Sequence, residues 1–376
     1  MKTANIHIDK ICITAQLTHK PTGKPHYFDE DDLGLVPSGS ATANQQALKD
    51  GGEEAYIKSK LIDDNGMAHA IEIRCCPPLV FQNHNLFGHC VLQDYVFAIL
   101  ELAAARLKLP VDADQRAEWQ TGDVSITEIH LTANFSCPES NLLPIINAMD
   151  AVYKMGKWRS EPTSITVHMA KKRRSKNHAL TIYGKALQLI SMFRSANGGK
   201  KAGKYQSMLI DEASKGIRAE VKLYSAGLKE LGLGIVRNWA DVNITELYFS
   251  ILNKYTVAHC IQRLLTNDEL EVLSRAERKL YTLWLNGENL EDHYGRTSLW
   301  KYAKAIGDKV NINIRGGLPV KLPPVDTSAI FVPENVLPVP DWAIGTEYYS
   351  PPVAVVAVKH LRGINSVPTP DGELDD

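Results

Sequence analysis

The sequence predicts a layered fold of mixed strands and helices up to about residue 225, followed by a mainly helical region. Three observations predict it. Segments that alternate apolar and polar residues recur between residues 6 and 223, with helical spacing between them. The clearest, residues 124–135, sets Ile129, Leu131, Ala133 and Phe135 on one face and Glu128, His130, Thr132 and Asn134 on the other, so one face of the sheet is polar. Residues 236–310 abandon the period of two for helical spacing.

Taken in order, residues 6–15 mix alternation with an apolar run and read as an opening strand. Residues 18–53, rich in Pro, Gly, Asp and Ser, read as a long irregular excursion. Strand character returns at residues 67–74, and Pro77-Pro78 ends it. Between Leu92 and Leu107 apolar residues recur at spacings of three and four, which predicts a buried amphipathic helix stopped before Pro110. Residues 142–153 read as the next helix and 164–169 as a strand. Residues 179–189 read as a short strand running into a helix, and 217–223 alternate with Arg218, Glu220 and Lys222 on one side. Further on, a turn at 294–297 precedes a helix over 298–306, which places Arg296, Lys301 and Lys304 near Thr297, a candidate N-cap. A helix-turn-helix DNA reader and a pair of packed helices with a solvated lysine face both fit this pattern. Prolines recur from Pro319, where the chain is expected to wrap over the surface before an acidic tail.

Composition narrows the function. With 376 residues, 44% of them hydrophobic and 23% charged, the chain can bury real cores in more than one unit. A net charge of −1 excludes a globally basic nucleic-acid binder. Any DNA contact then falls to local clusters: Lys171, Lys172, Arg173, Arg174 and Lys176, and Lys200, Lys201 and Lys204. The six cysteines show no C-x-x-C spacing and read as reduced thiols, which argues against a zinc site. No run approaches 18 apolar residues and the amino terminus has no continuous apolar core, so a cytoplasmic protein without a membrane span or signal peptide is expected.

Two groups of residues carry candidate chemistry. Tyr183 and Lys185 stand two positions apart and share a face if the strand reaches that far. A tyrosine beside a cation, behind a polybasic run, points to covalent chemistry on a phosphodiester, with a packed strand tyrosine as the alternative. His130, Glu220 and Glu72 would offer one nitrogen and two carboxylates, a donor set suited to Mg²⁺ or Mn²⁺ as a Lewis acid at phosphorus.

Several short blocks then succeed one another. They are Ile71-Glu72-Ile73-Arg74 with Pro77, Gln82-Asn83-His84-Asn85-Leu86-Phe87-Gly88, Ile126-Thr127-Glu128-Ile129-His130-Leu131-Thr132 and Leu180-Thr181-Ile182-Tyr183-Gly184-Lys185. Gly216-Ile217-Arg218-Ala219-Glu220-Val221-Lys222-Leu223, Leu228-Lys229-Glu230-Leu231-Gly232-Leu233, Ser298-Leu299-Trp300-Lys301-Tyr302 and Pro340-Asp341-Trp342 follow. In this order they resemble the gene II replication initiators of filamentous bacteriophages, the phage and plasmid replication proteins of the II/X type.

The resemblance implies an α+β fold: an antiparallel-rich sheet flanked by helices, as in rolling-circle nickases. The catalytic nicking and joining domain would span 1–225, a helical DNA-binding or accessory region 226–345, and a tail 346–376. It further implies metal-dependent nicking of one strand at a phage or plasmid origin, single-stranded at the nick, through a tyrosine joined to the 5′ phosphate, and later rejoining. The family's tyrosine falls on Tyr183, its lysine on Lys185, and its arginine-x-glutamate strand on Arg218 and Glu220, with Arg218 a DNA contact. His130 stands where relatives can show aspartate, and the chain has Thr132 where the wider superfamily of such nickases has a second histidine. A host helicase and DNA polymerase are implied partners, since no G-x-x-x-x-G-K-[ST] loop is present. A plasmid initiator or mobilisation relaxase, and a catalytically inactive DNA-binding regulator, are the rival readings.

Overall fold

A computed structural model describes residues 5–22, 24–26, 41–48, 54–153, 156–159, 161–168, 177–196, 198, 201–255, 265–286, 288–310, 314, 330–349 and 352. Its strands are β1 (His7–His19), β2 (Lys24–His26), β3 (Ala41–Ala47), β4 (Glu54–Ile62), β5 (Ala68–Cys75), β6 (Ser125–Ser136), β7 (Lys157–Trp158), β8 (Ser164–Val167), β9 (His178–Tyr183) and β10 (Gly216–Tyr224). They form one sheet in the order β2-β3-β4-β5-β1-β6-β10-β9-β8-β7, with every pairing antiparallel. The helices are α1 (Pro77–Gln82), α2 (Leu92–Leu107), α3 (Ala113–Thr121), α4 (Leu142–Val152), α5 (Lys185–Ala196), α6 (Lys204–Ser214), α7 (Ser225–Glu230), α8 (Ile244–Leu252), α9 (Asn267–Val272), α10 (Arg275–Leu285), α11 (Leu290–His293) and α12 (Arg296–Val310). The fold is α+β, with an antiparallel sheet flanked by helices.

The alternation of β6 decides which face is core. Ile129, Leu131, Ala133 and Phe135 have no exposed surface and join Val96 and Ile99 of α2, Ile145 and Met149 of α4, and Tyr248 and Ile251 of α8 in the main hydrophobic cluster. Each large apolar side chain so buried contributes about 1.5–3 kcal/mol, so this face carries the sheet's stability and the polar face is free for other work. The spacing that predicts a helix over residues 92–107 matches α2, which stops where Lys108 turns left-handed (φ 54°) and donates its N–H to the carbonyls of Ala104 and Ala105.

Several elements lie beyond the pattern reading, β2, β4, α1 and α6 among them. β3 and part of β1 occupy the stretch expected to be irregular, because Ala-Thr-Ala-Asn-Gln-Gln-Ala gains its extended form from pairing with β4 and not from its own propensity. α3 follows a capping box between Asp112 and Gln115, a readable signal that the apolar spacing alone misses. Thr297 lies inside α12 and is no N-cap, since that helix begins at Arg296.

Gly216 opens β10 against β6 so closely that a Cβ there would meet the Phe135 carbonyl oxygen at 2.3 Å. Gly216→Ala is expected to cost about 1–3 kcal/mol of stability in a urea titration; an unchanged midpoint would show that the strands separate freely.

Two smaller clusters complete the picture. Leu86, Phe87, Leu189, Phe193, Leu209 and Ala343 pack together, bringing α5, α6, the loop after α1 and the segment around Trp342 into contact. Asn134 on the polar face donates to the Leu86 carbonyl at 2.6 Å, which fixes that loop over the sheet. Leu273, Leu280, Tyr281, Trp284, Ala303, Ile306 and Val310 form a separate core for α10 and α12. Among the described residues, no helix is long and apolar enough to cross a membrane.

Candidate active site

Register across the central strands assembles the polar face in rows. Glu220 on β10 pairs with Thr132 on β6 and Thr181 on β9, and Thr132 pairs with His7 on β1. One row away, Arg218 lies between Asn134 and Tyr183. On the other side, Lys222 lies opposite His130, which faces Lys10. The β1–β6 register slips between Ile8 and Lys10. The slip leaves Asp9 unpaired with β6, on the face it shares with His7 two positions before, and it is 7% exposed.

Asp9, His130 and Glu220 each turn one ligand atom to within 4.8 Å of the others. His130 bridges two carboxylates: its Nδ1 lies 2.6 Å from Glu220 Oε1 and its Nε2 2.8 Å from Glu128 Oε1. Burial works against a charged imidazole, yet the hydrogen bonds that it donates to both glutamates prevail and raise its pKa above the ordinary 6.5. Burial likewise pushes Glu128 up, but His130, Lys10 and Arg74 hold its carboxyl at about 2. Burial also opposes ionisation of Glu220, while Lys222 and His130 hold it well below the usual carboxylate range. One nitrogen and two carboxylate oxygens fit Mg²⁺ or Mn²⁺, and a carboxylate on the far ring nitrogen is what orients a ligand histidine. Thr132 Oγ1, buried with no hydrogen-bond partner among the described residues and directly opposite Glu220, adds a further oxygen to this wall.

These shifts set a pH dependence. The raised His130 pKa contributes stability that is complete below pH 6.5 and lost as pH rises through the folded value. The two lowered glutamates contribute stability present above pH 4.5 and lost as pH falls through their folded values. As far as this cluster decides, the metal-free protein is expected to melt highest between pH 4.5 and 6.5, and His130→Gln to flatten the alkaline limb. A limb unchanged in the variant would mean that the bridge contributes nothing.

Beside the cluster stands Tyr183, half-buried at the end of β9. Its O–H donates to Glu220 Oε2 at 3.4 Å, and burial lifts the phenol pKa well above 10 in spite of nearby Arg218. The cations of Arg218 and Lys185 lie 5.9 and 6.0 Å from its ring centre. Arg218 has no exposed surface and donates to Asp9 Oδ1 at 2.8 Å and to the Asn85 carbonyl. Asn85 Nδ2 donates to the same Asp9 oxygen at 2.7 Å. Lys185 Nζ donates to Asn85 Oδ1 and Gln188 Oε1, each at 2.6 Å, and burial above all brings its pKa down to about 7.

The structure thus brings His130, Glu220, Tyr183, Lys185 and Arg218 together. Residues 179–189 are the strand running into a helix that the pattern predicts; β9 ends at Tyr183, so the strand does not reach Lys185, which is buried as the first residue of α5. Glu72 is not in the cluster. It stands opposite Thr14 on β5 and pairs with Lys60 at 2.8 Å, and Asp9 supplies the second carboxylate in its place. Arg218, expected as a DNA contact, is committed to Asp9 and Asn85 inside the protein. Lys171, Lys172, Arg173, Arg174, Lys176 and Lys200 lie outside the described residues, while Lys201 is exposed. Asp9, Asn85 and Glu128 escaped the sequence reading; the His84-Asn85 block was visible, but nothing in it names Arg218 and Lys185 as partners.

The family described as the amino-terminal part of the replication-associated gene II protein matches residues 39–242. The chain belongs to this family. The match spans β6, β9 and β10, and with them His130, Tyr183 and Glu220. It bears out the resemblance to gene II initiators and gives the chain a role in starting phage-type DNA replication. Among curated proteins the chain finds no match.

Proposed function

We propose that the chain nicks one strand of an origin through Tyr183 and later rejoins it. The observation that carries this reading is the hydrogen bond from the Tyr183 hydroxyl to Glu220, a carboxylate of the Asp9–His130–Glu220 cluster. The tyrosine oxygen attacks phosphorus, the 3′ oxygen leaves and takes up a proton from solvent as the 3′ hydroxyl, and a 5′-phosphotyrosine ester forms. Glu220 Oε2 receives the phenol proton, whose acidity rises steeply as the bond to phosphorus forms. Asp9, His130 and Glu220 would hold a Mg²⁺ or Mn²⁺, which would supply charge neutralisation at the phosphate. Burial lowers the Lys185 pKa to about 7, and an arriving phosphate favours its charged form. Arg218 and Asn85 hold Asp9 in place. Attack by the 3′ hydroxyl on the ester reverses every step, so rejoining consumes no nucleotide.

On this reading the basic run at 171–176 and the lysines at 200–204 bind the single strand. A host helicase and polymerase extend the nicked end. The helical region after residue 225 recognises origin duplex through α12, where Arg296, Lys301 and Lys304 are exposed. Replacing these three by alanine is expected to lower the slope of log affinity against log salt by about 2–3, as measured by anisotropy on origin duplex. A slope equal to wild type places duplex recognition elsewhere.

The nickase reading is tested with Mn²⁺ or Mg²⁺ and labelled single-stranded origin DNA from the replicon that encodes the chain. A denaturant-resistant protein–DNA adduct is expected. Binding without any adduct under either ion would favour the inactive regulator; adducts confined to a plasmid transfer origin would favour the relaxase.

A further inference from the structure

Resting on the nickase reading, we propose that a nucleobase of the single strand beside the scissile phosphate stacks on Trp158. The row that contains Glu220 continues beyond Thr181: Thr181 pairs with Thr166 on β8, and Thr166 pairs with Trp158 on β7. Paired residues in antiparallel strands share a face, so the indole lies on the same face as the metal-type cluster. The hydrogen bond between Thr166 Oγ1 and Thr181 Oγ1, 2.8 Å, confirms that these side chains meet on this face. Three strand spacings separate Glu220 from Trp158, about 14 Å, a span that a strand held at Tyr183 crosses directly.

Trp158 is 68% exposed at the outer edge of the sheet. Its neighbours point to the kind of ligand it takes. Lys157 lies 2.7 Å and Arg159 3.8 Å from Asp150, so their charges are already answered. What β7 presents on this face is an aromatic surface, and not a charge. Such a surface suits a base, whose π-face it can stack on in a sequence-tolerant way, and does not suit a phosphate. Between the tryptophan and Glu220 the row carries Thr166 and Thr181, so the face leading from the cluster to the indole is uncharged; Tyr183 stands one row away.

Fluorescence anisotropy with the full chain tests this, using two labelled 16-mers: an oligothymidylate and a base-free oligomer of the same backbone. Trp158→Ala is expected to bind the oligothymidylate about 10-fold more weakly, to bind the base-free oligomer as wild type does, and to melt at the wild-type temperature. Trp158→Phe is expected to recover most of the affinity. Equal binding of oligothymidylate by wild type and Trp158→Ala overturns the proposal, as does an equal loss on both oligomers. Failure of the nickase reading is read separately, as absence of the wild-type adduct on origin DNA.

Discussion

Tyr183→Phe is expected to abolish the denaturant-resistant adduct and to slow nicking by at least ~10³-fold, since the phenylalanine ring carries no oxygen to attack phosphorus. The variant removes one oxygen and keeps the ring between Arg218 and Lys185. The hydrogen bond that disappears is a single contact of 3.4 Å, so stability is expected to change by no more than about 1 kcal/mol. Glu220 retains His130 and Lys222 as partners. The measurement pairs a denaturing gel of labelled origin strand with a thermal melt. An adduct that persists in a folded variant would assign the attack to another side chain.

Arg218→Met is expected to cost about 3–5 kcal/mol of stability, the loss that follows when one partner of a buried ion pair is removed. The guanidinium has no exposed surface, and its departure leaves Asp9 buried with only Asn85 and Cys76, among the described residues, donating to it. Asp9→Asn is expected to cost less, because the amide oxygen still accepts from Arg218. In the double variant the loss should fall short of the sum, the mark of a direct interaction. Urea titration of the three variants decides. A loss within about 1 kcal/mol for Arg218→Met would show that the loop at Asn85 is held by its apolar neighbours alone.

Pattern and structure agree at some residues and part at others. His130 and Glu220 were legible because a period of two fixes which side chains share a face of a strand. The strand running into a helix around Tyr183 and Lys185 was legible too; that Lys185 falls on the helix side of the junction follows from α5 packing its Leu189 and Phe193 against Leu86 and Phe87. Glu72 obeyed the same alternation as Glu220 and was misplaced, because face membership says nothing about which strands become neighbours. The capping boxes of α3 and α10 were written in local sequence, whereas β3 exists only through its partner strand.

By itself the sequence determined the mixed α and β class, the core face of β6, the span of α2, and the residue types able to act on a phosphodiester. All of these rest on interactions between near neighbours in the chain, which periodicity and composition record. Tertiary structure alone decided that β1 lies between β5 and β6, that the β1–β6 register slips at Asp9, and that Asn85 reaches Arg218 across 133 positions. Those outcomes depend on strand order and register, which are settled by the packing of the whole sheet and leave no local trace in the residues they bring together.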